Sequence, residues 1–246
     1  KLKLIDKITS LPYLQMTISL LKKIGVKVKF EKNIIYVSEL KKNVMTDILV
    51  ESDWSSASYF YSCAALSNDA EIKIKSFSKK SLQGDSIVSK IYKKLGVSTI
   101  YDSEKIVLKK KKNFKLPNSL EYNLIDSPDL AQTIAVTCFG LGIKCDLYGL
   151  HTLKIKETDR LNALKLELKK LGSNVLITND SIHINKSKID FSNIKIKTYN
   201  DHRMAMSFAP LGILKPIIIE SPNVVSKSFP DFWDKIIDIG FKINKV

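Results

Sequence analysis

The chain is poor in the residues that build metal centres and disulfide frameworks. Its three cysteines, Cys63, Cys138 and Cys145, form no Cys-x-x-Cys pair and have no neighbouring histidine. Metal-ligand spacing is therefore absent, and buried, reduced thiols are expected. No apolar run reaches the roughly 18 residues of a membrane span, and no signal-peptide pattern opens the chain. A cytoplasmic protein without a membrane partner is the expectation. The sequence opens on Lys1, within the strand-like alternation Lys1-Leu2-Lys3-Leu4-Ile5, which reads as an excision from something longer. Acidic residues are outnumbered, 25 against 40 Lys and Arg, giving a net charge of +15. Such an excess suits nucleic acid, an anionic membrane or small acidic substrates. Most of it is lysine on strand and helix patterns, and the dense tract Lys109 to Lys112 reads as a solvated turn after a strand.

Glycine is also scarce, nine in 246 residues, and four of the nine recur in one context. Gly25, Gly96, Gly172 and Gly240 lie about 70 residues apart, each ending a helical pattern before an alternating strand such as Val26 to Phe30 or Phe241 to Val246. Glycine there supplies the left-handed cap that a β-carbon would penalise. A supersecondary unit is repeated: a strand, an Asp-led helix of small residues, a strand, a loop, a second helix, then one or two strands. The Asp-led helices start near Asp53, Asp129 and Asp201, where a carboxylate caps free amides. Asp129 stands apart because Pro128 precedes it. The second helices are amphipathic, with Leu161, Leu164, Leu168 and Leu171 on one face and Lys165, Glu167 and Lys169 elsewhere. The expected architecture is α/β: repeated β-α-β-α-β-β units around a pseudo-threefold axis, helices inside and sheets outside. Residues 46–246 hold three copies, and residues 1–45 an incomplete fourth that belongs to a preceding domain.

The candidate chemistry lies at helix entrances. Lys154, Lys156, Glu157 and Arg160 occupy one loop-to-helix junction, and Tyr199-Asn200-Asp201-His202-Arg203 occupies the equivalent junction of the next repeat. Ser226-Lys227-Ser228-Phe229-Pro230-Asp231 adds a lysine before a third helix. Helix starts favour anions, and the planar fork of arginine suits carboxylate or phosphate. Three cationic helix entrances at one end of a repeated fold make an anion site.

With Lys156-Glu157-Thr158-Asp159-Arg160 and Asp201-His202-Arg203, the sequence resembles the C-terminal half of the EPSP synthase family, the shikimate-pathway enolpyruvyl transferases. Further echoes come in the family's order: Ser10-Leu11-Pro12-Tyr13, Asp53-Trp54-Ser55-Ser56-Ala57-Ser58-Tyr59-Phe60, Gln83-Gly84-Asp85 and Pro128-Asp129-Leu130-Ala131. The resemblance implies the enolpyruvyl transferase fold, with the N-terminal domain mostly missing. It implies transfer of the enolpyruvyl group of phosphoenolpyruvate to the 5-hydroxyl of shikimate 3-phosphate, with release of phosphate. It implies no cofactor, no metal and no nucleic-acid partner, and a monomeric intact enzyme.

By the same resemblance, Asp129 contacts the shikimate hydroxyls and accepts a proton, and Glu157 exchanges a proton with the methylene carbon of phosphoenolpyruvate. Arg160, Arg203 and Lys227 match the cations that hold phosphoenolpyruvate. Lys156, Ser10 and Tyr13 match shikimate 3-phosphate contacts, as does Thr152, which stands where many members have asparagine. His202 lies beside the site and counts among the substrate-binding candidates, with a catalytic and a neutral structural role equally open, and His151 and His183 read as ordinary. The related UDP-N-acetylglucosamine enolpyruvyl transferases are the rival within the enzyme class, and a basic nucleic-acid module the rival outside it. Part of the family's site lies outside this sequence, so the chain alone is expected to be inactive.

Overall fold

All four helix-ending glycines have positive φ, 91° at Gly25, 86° at Gly96, 87° at Gly172 and 107° at Gly240. They lie in a computed structural model that describes residues 1–5, 8–40, 47–187, 190 and 194–245. The chain begins with β1 (Leu2–Lys3), α1 (Leu11–Lys23), β2 (Val28–Glu31) and β3 (Ile34–Val37). A first unit follows, α2 (Trp54–Leu66), β4 (Glu71–Lys75), α3 (Val88–Lys93), β5 (Val97–Asp102) and β6 (Lys105–Lys110). The second contains β7 (Ser119–Asn123), α4 (Ala131–Gly140), β8 (Lys144–Tyr148), α5 (Arg160–Lys170), β9 (Val175–Ile177) and β10 (Ser181–Ile184). The third contains β11 (Ile194–Ile196), α6 (His202–Phe208), β12 (Ile217–Ile219) and α7 (Phe232–Asp238).

The middle unit shows the full strand-helix-strand-helix-hairpin order, and the flanking units share its centre. The sheets run β1-β3-β2, β4-β6-β5, β7-β8-β10-β9 and β11-β12. Two pairs are parallel, β7 with β8 and β11 with β12, and the helix that crosses between each pair is α4 or α6. Parallel neighbours need such a crossover, which places those helices against the sheets. Their inner faces meet each other and α2. Every residue of α4 is buried, as is every residue of α2 except Ser56 and of α6 except Arg203. Small residues allow this approach, and their hydroxyls satisfy one another at the centre. Ser58 Oγ donates to Thr133 Oγ1 at 3.0 Å, and Thr133 Oγ1 lies 3.4 Å from Ser207 Oγ, one hydroxyl from each unit. A buried hydroxyl without a partner would cost about 1–3 kcal/mol.

The main core runs from Trp54 to Ile236, and a second small cluster, Ile18, Val26, Val28 and Ile35, lies under α1. The two approach at Gly84. A β-carbon there would stand 2.9 Å from Pro12 Cβ and 2.7 Å from the Asp126 carbonyl oxygen, so glycine permits the contact. The leucine stripe of α5 is wholly inside. The three cysteines are buried and unpaired, and among the described residues no helix is long and apolar enough to cross a membrane.

Three expectations need correction. Phe241 to Lys245 form no strand, and Val246 lies outside the described residues. Phe241 instead packs its ring over Gly212. The Lys109–Lys112 tract is not wholly a turn: Lys109 and Lys110 finish β6, where Lys109 pairs with Glu71 at 3.3 Å and Lys110 Nζ donates to the Ala65 carbonyl. Glu167, placed by periodicity off the leucine face, is fully buried because the segment after β11 closes over that side of α5.

Candidate active site

Two of the three Asp-led helices are capped as expected. Asp53 accepts from the amides of Ser55 and Ser56, and Asp201 accepts from the amide of Arg203. Asp159 caps α5 through the Asn162 amide. Asp129 does not cap. It sits in the single turn Pro128–Leu130 ahead of α4, and its carboxylate turns to cations of its own unit and of the next.

Arg160, the first residue of α5, organises the cluster. Its guanidinium, 2% exposed, donates from Nε to Asp201 Oδ2 at 2.7 Å, from Nη1 to Asp129 Oδ1 at 2.9 Å and from Nη2 to Glu157 Oε2 at 2.6 Å. Three of its five N–H groups are thus engaged, leaving one on each Nη. Arg203, from the first turn of α6, donates from Nη2 to Asp129 Oδ2 at 3.1 Å and approaches the Tyr59 hydroxyl at 3.5 Å. Lys227 Nζ reaches Glu157 Oε1 at 2.8 Å, and Lys156 Nζ lies 3.7 Å from Asp129 Oδ1. Six predicted residues from four segments of the chain therefore meet: Asp129, Lys156, Glu157, Arg160, Arg203 and Lys227.

These contacts set the charge states. Burial pushes the Asp129 carboxyl up, but Arg203, Lys156 and Arg160 outweigh it and hold Asp129 below its ordinary range. Burial likewise opposes ionisation of Glu157, and the Lys227 hydrogen bond, its own backbone amide and Arg160 bring it down to about 2. Both carboxylates are ionised near neutral pH. His202 is buried behind the cluster, its Nδ1 4.0 Å from Asp201 Oδ1 and without a hydrogen-bond partner among the described residues. Burial and then the Arg203 charge push it below its ordinary value, so it is neutral.

The remaining predicted residues divide. Tyr13, in the first turn of α1, is 38% exposed, and burial of part of the side chain, then Asp85 and Asp129, raise its hydroxyl. Ser10 precedes α1 in a left-handed conformation, φ 56°, and its side chain caps nothing. Thr152 Oγ1 is buried without a hydrogen-bond partner among the described residues. His183 is not isolated. Its Nδ1 lies 2.8 Å from Asp146 Oδ1 and its Nε2 2.9 Å from Ser181 Oγ, on the β8–β10 ladder.

Sequence reasoning gave no site role to Asp85, Tyr59 or Asp201. Asp85 is buried and accepts from Ser55 Oγ, and burial, only partly offset by that bond, pushes its carboxyl up to about 6. The quoted Gln83-Gly84-Asp85 was its one signal. Tyr59 is read within an apolar helix, and no pattern there distinguishes it from core.

Inward helices, outward sheets and a cluster of cations at helix entrances define an enolpyruvyl transferase fold, and solved structures agree. An EPSP synthase from Acinetobacter baumannii superposes with a TM-score of 0.76 at 27% identity, covering 93% of this chain and 55% of that one. The enolpyruvyl transferase NikO from Streptomyces tendae gives 0.72 at 11% identity, a likeness of fold alone, covering 96% of this chain and 54% of that one. The sequence matches the EPSP synthase (3-phosphoshikimate 1-carboxyvinyltransferase) family over residues 1–236, and the chain belongs to that family. Similar proteins named 3-phosphoshikimate 1-carboxyvinyltransferase include one from Bacteroides fragilis, 42% identical over 99% of this chain and 60% of its own length. Another, from Methanococcus maripaludis, is 36% identical over 100% of this chain and 58% of its own. The chain thus spans somewhat over half the length of the relatives it matches.

Proposed function

We propose that this chain supplies one side of an EPSP synthase active site, the side that performs both proton transfers. Residues 46–246 would be the C-terminal domain and residues 1–45 the end of the preceding one, a division supported by the separate cores. In this reading Arg160, Arg203 and Lys227 hold phosphoenolpyruvate. Lys156, Tyr13, Ser10 and Thr152 hold shikimate 3-phosphate, with His202 as a neutral wall.

Addition joins the 5-hydroxyl oxygen to C2 of phosphoenolpyruvate. Asp129 takes the hydroxyl proton, and Glu157, protonated once the substrate anions draw Lys227 and Arg160 away from it, delivers a proton to the methylene carbon. Elimination returns the methylene proton to Glu157 and breaks the C2–O bond to phosphate. Two proton transfers at separate atoms require two separately placed groups. The observation that carries the reading is that one guanidinium, Arg160, bridges Asp129 and Glu157 at 2.9 and 2.6 Å.

Charge supports the incompleteness. Lys156, Arg160, Arg203 and Lys227 already face Asp129, Glu157 and Asp201 through direct ion pairs. Little positive charge is left for two polyanionic substrates, so further cations must come from outside this chain. Stabilisation of the transition state also needs preorganised groups on both sides in a water-excluded site. The relatives' names favour shikimate 3-phosphate over a UDP-sugar acceptor, and we read the intact enzyme as monomeric and cytoplasmic. The test is phosphate release from phosphoenolpyruvate and shikimate 3-phosphate, measured with the full-length enzyme and with this chain. Turnover is expected from the first and none from the second. Robust turnover by the chain alone, or none by the full-length enzyme, refutes the reading.

A further inference from the structure

Two consecutive residues directly before Asp201, Tyr199 at φ 53° and Asn200 at φ 55°, are left-handed although neither is glycine. Asparagine tolerates that region through its short polar side chain, whereas a bulky tyrosine there is a genuine outlier. Such a conformation persists only where the surroundings over-determine it.

The Tyr199 ring packs against the main core, and its hydroxyl is held by one buried carboxylate. Glu167 is fully buried, and its Oε1 accepts from the Tyr199 hydroxyl at 2.6 Å. Its Oε2 accepts from the Lys197 amide at 3.2 Å and from Lys170 Nζ at 2.8 Å. A carboxylate removed from water is costly unless its lone-pair directions are met, and here the partners are one backbone amide, one tyrosine hydroxyl and one ammonium. Glu167 follows Arg160 by about two helical turns, so both project from the same face of α5. One helix face therefore grips the segment 197–201 at two points, Glu167 at its start and Arg160 at Asp201. Asp201 in turn fixes the amide of Arg203 at 2.8 Å.

We propose that Glu167, acting through Tyr199, is a positioning residue that sets Arg203 for phosphoenolpyruvate. It touches no reacting group, and the inference rests on the functional reading above. Loss of the tyrosine hydroxyl frees the left-handed turn to relax, which moves Asp201 and with it the start of α6. Asp129, held by Lys156 and Arg160 as well as by Arg203, keeps its place.

The experiment uses the full-length enzyme with Tyr199→Phe and Glu167→Gln. The phenylalanine keeps the ring and its place beside Lys197, 5.3 Å from the centroid, and removes only the hydroxyl. Glutamine keeps the shape of Glu167 and can meet the same partners, its oxygen toward the Lys197 amide and the Lys170 ammonium and its amide donating to the Tyr199 oxygen, so it removes only the charge. KM for phosphoenolpyruvate should rise roughly tenfold in Tyr199→Phe, the scale of one hydrogen bond to a charged group, and less in Glu167→Gln. KM for shikimate 3-phosphate and kcat should change less than about twofold, since neither depends on Arg203 alone. Combined with Arg203→Lys, Tyr199→Phe should add little further loss, because both act on one interaction. A lower melting temperature with unchanged KM, equal rises in both KM values, or full additivity with Arg203→Lys overturns the proposal. If Glu167→Gln does not fold, Tyr199→Phe decides. Absence of turnover in the unmodified enzyme overturns the functional reading instead. Calorimetric titration with phosphoenolpyruvate then decides, and equal affinity of the parent and Tyr199→Phe overturns the positioning role.

Discussion

Arg160 Nε and Asp201 Oδ2 stand 2.7 Å apart, with both side chains shut away from solvent. The same guanidinium serves Asp129 and Glu157, so carboxylates of two units of the fold converge on one cation. Arg160→Met should lower the unfolding free energy of this chain by about 3–5 kcal/mol, because it strands carboxylates in the interior. Arg160→Lys should recover only part of that, since one ammonium cannot meet three carboxylates held in a planar fork. Urea denaturation of the three proteins checks the order, and equal stability of all three contradicts it.

In the full-length enzyme, Asp129→Asn and Glu157→Gln should each lower kcat by about 10²- to 10⁴-fold while KM changes far less, as removal of a proton-transfer group predicts. Arg203→Lys should instead raise KM for phosphoenolpyruvate, because a point charge replaces a bidentate donor. Steady-state kinetics with each substrate varied separates the two patterns.

Glu157, held at about 2, cannot donate a proton near neutral pH while Lys227 and Arg160 remain its partners. An anion that takes those two cations should therefore raise the Glu157 pKa. Carbon-detected NMR of the Glu157 carboxyl, titrated with pH in the absence and presence of saturating phosphate, should show an upward shift. An unchanged titration would mean that phosphate does not replace the carboxylate. For folding the sign is the usual one for a depressed acid. The contribution of Glu157 to stability is present above its ordinary value and lost as pH falls through about 2.

Asp85 has the opposite sign. Burial raises it to about 6, so the native state disfavours its ionised form, and that cost appears as pH rises through that value. Asp85→Asn keeps an acceptor for the Ser55 hydroxyl and removes the charge. The variant should be more stable than the parent at pH 8, by on the order of 2 kcal/mol, with the difference shrinking toward pH 5. Thermal melts across that range test it, and a pH-independent difference would assign the effect to something other than ionisation.

Gly84→Ala forces a β-carbon to 2.7 Å from the Asp126 carbonyl and 2.9 Å from Pro12. Overpacking of this kind costs about 1–3 kcal/mol. The strain falls where α1 meets the main core, so proteolysis between residues 1 and 40 should quicken more than global unfolding. Limited trypsin digestion against the parent reads this directly.

Much of the architecture is written locally. The four glycine caps and the Asp53 and Asp201 caps rest on interactions within a few residues, and the leucine stripe of α5 on helical spacing. All are therefore legible in the sequence. So were the helix entrances that carry Lys156, Glu157, Arg160, Arg203 and Lys227. What was not legible depends on which segments fold against each other. Periodicity placed Glu167 outside, and burial beneath the β11 connection made it an internal anchor. Phe241 alternates like a strand, yet its ring goes to Gly212. Asp129, Asp201 and Asp53 look alike as leaders of small-residue helices, but only the packing of the second unit against the third turns Asp129 from a cap into a partner of two arginines. Charge states follow the same rule. The same carboxyl chemistry gives about 2 at Glu157 and about 6 at Asp85, because one meets two cations at an open face and the other is enclosed with a single hydroxyl. Residue type set which groups could ionise, and tertiary contact decided which of them do.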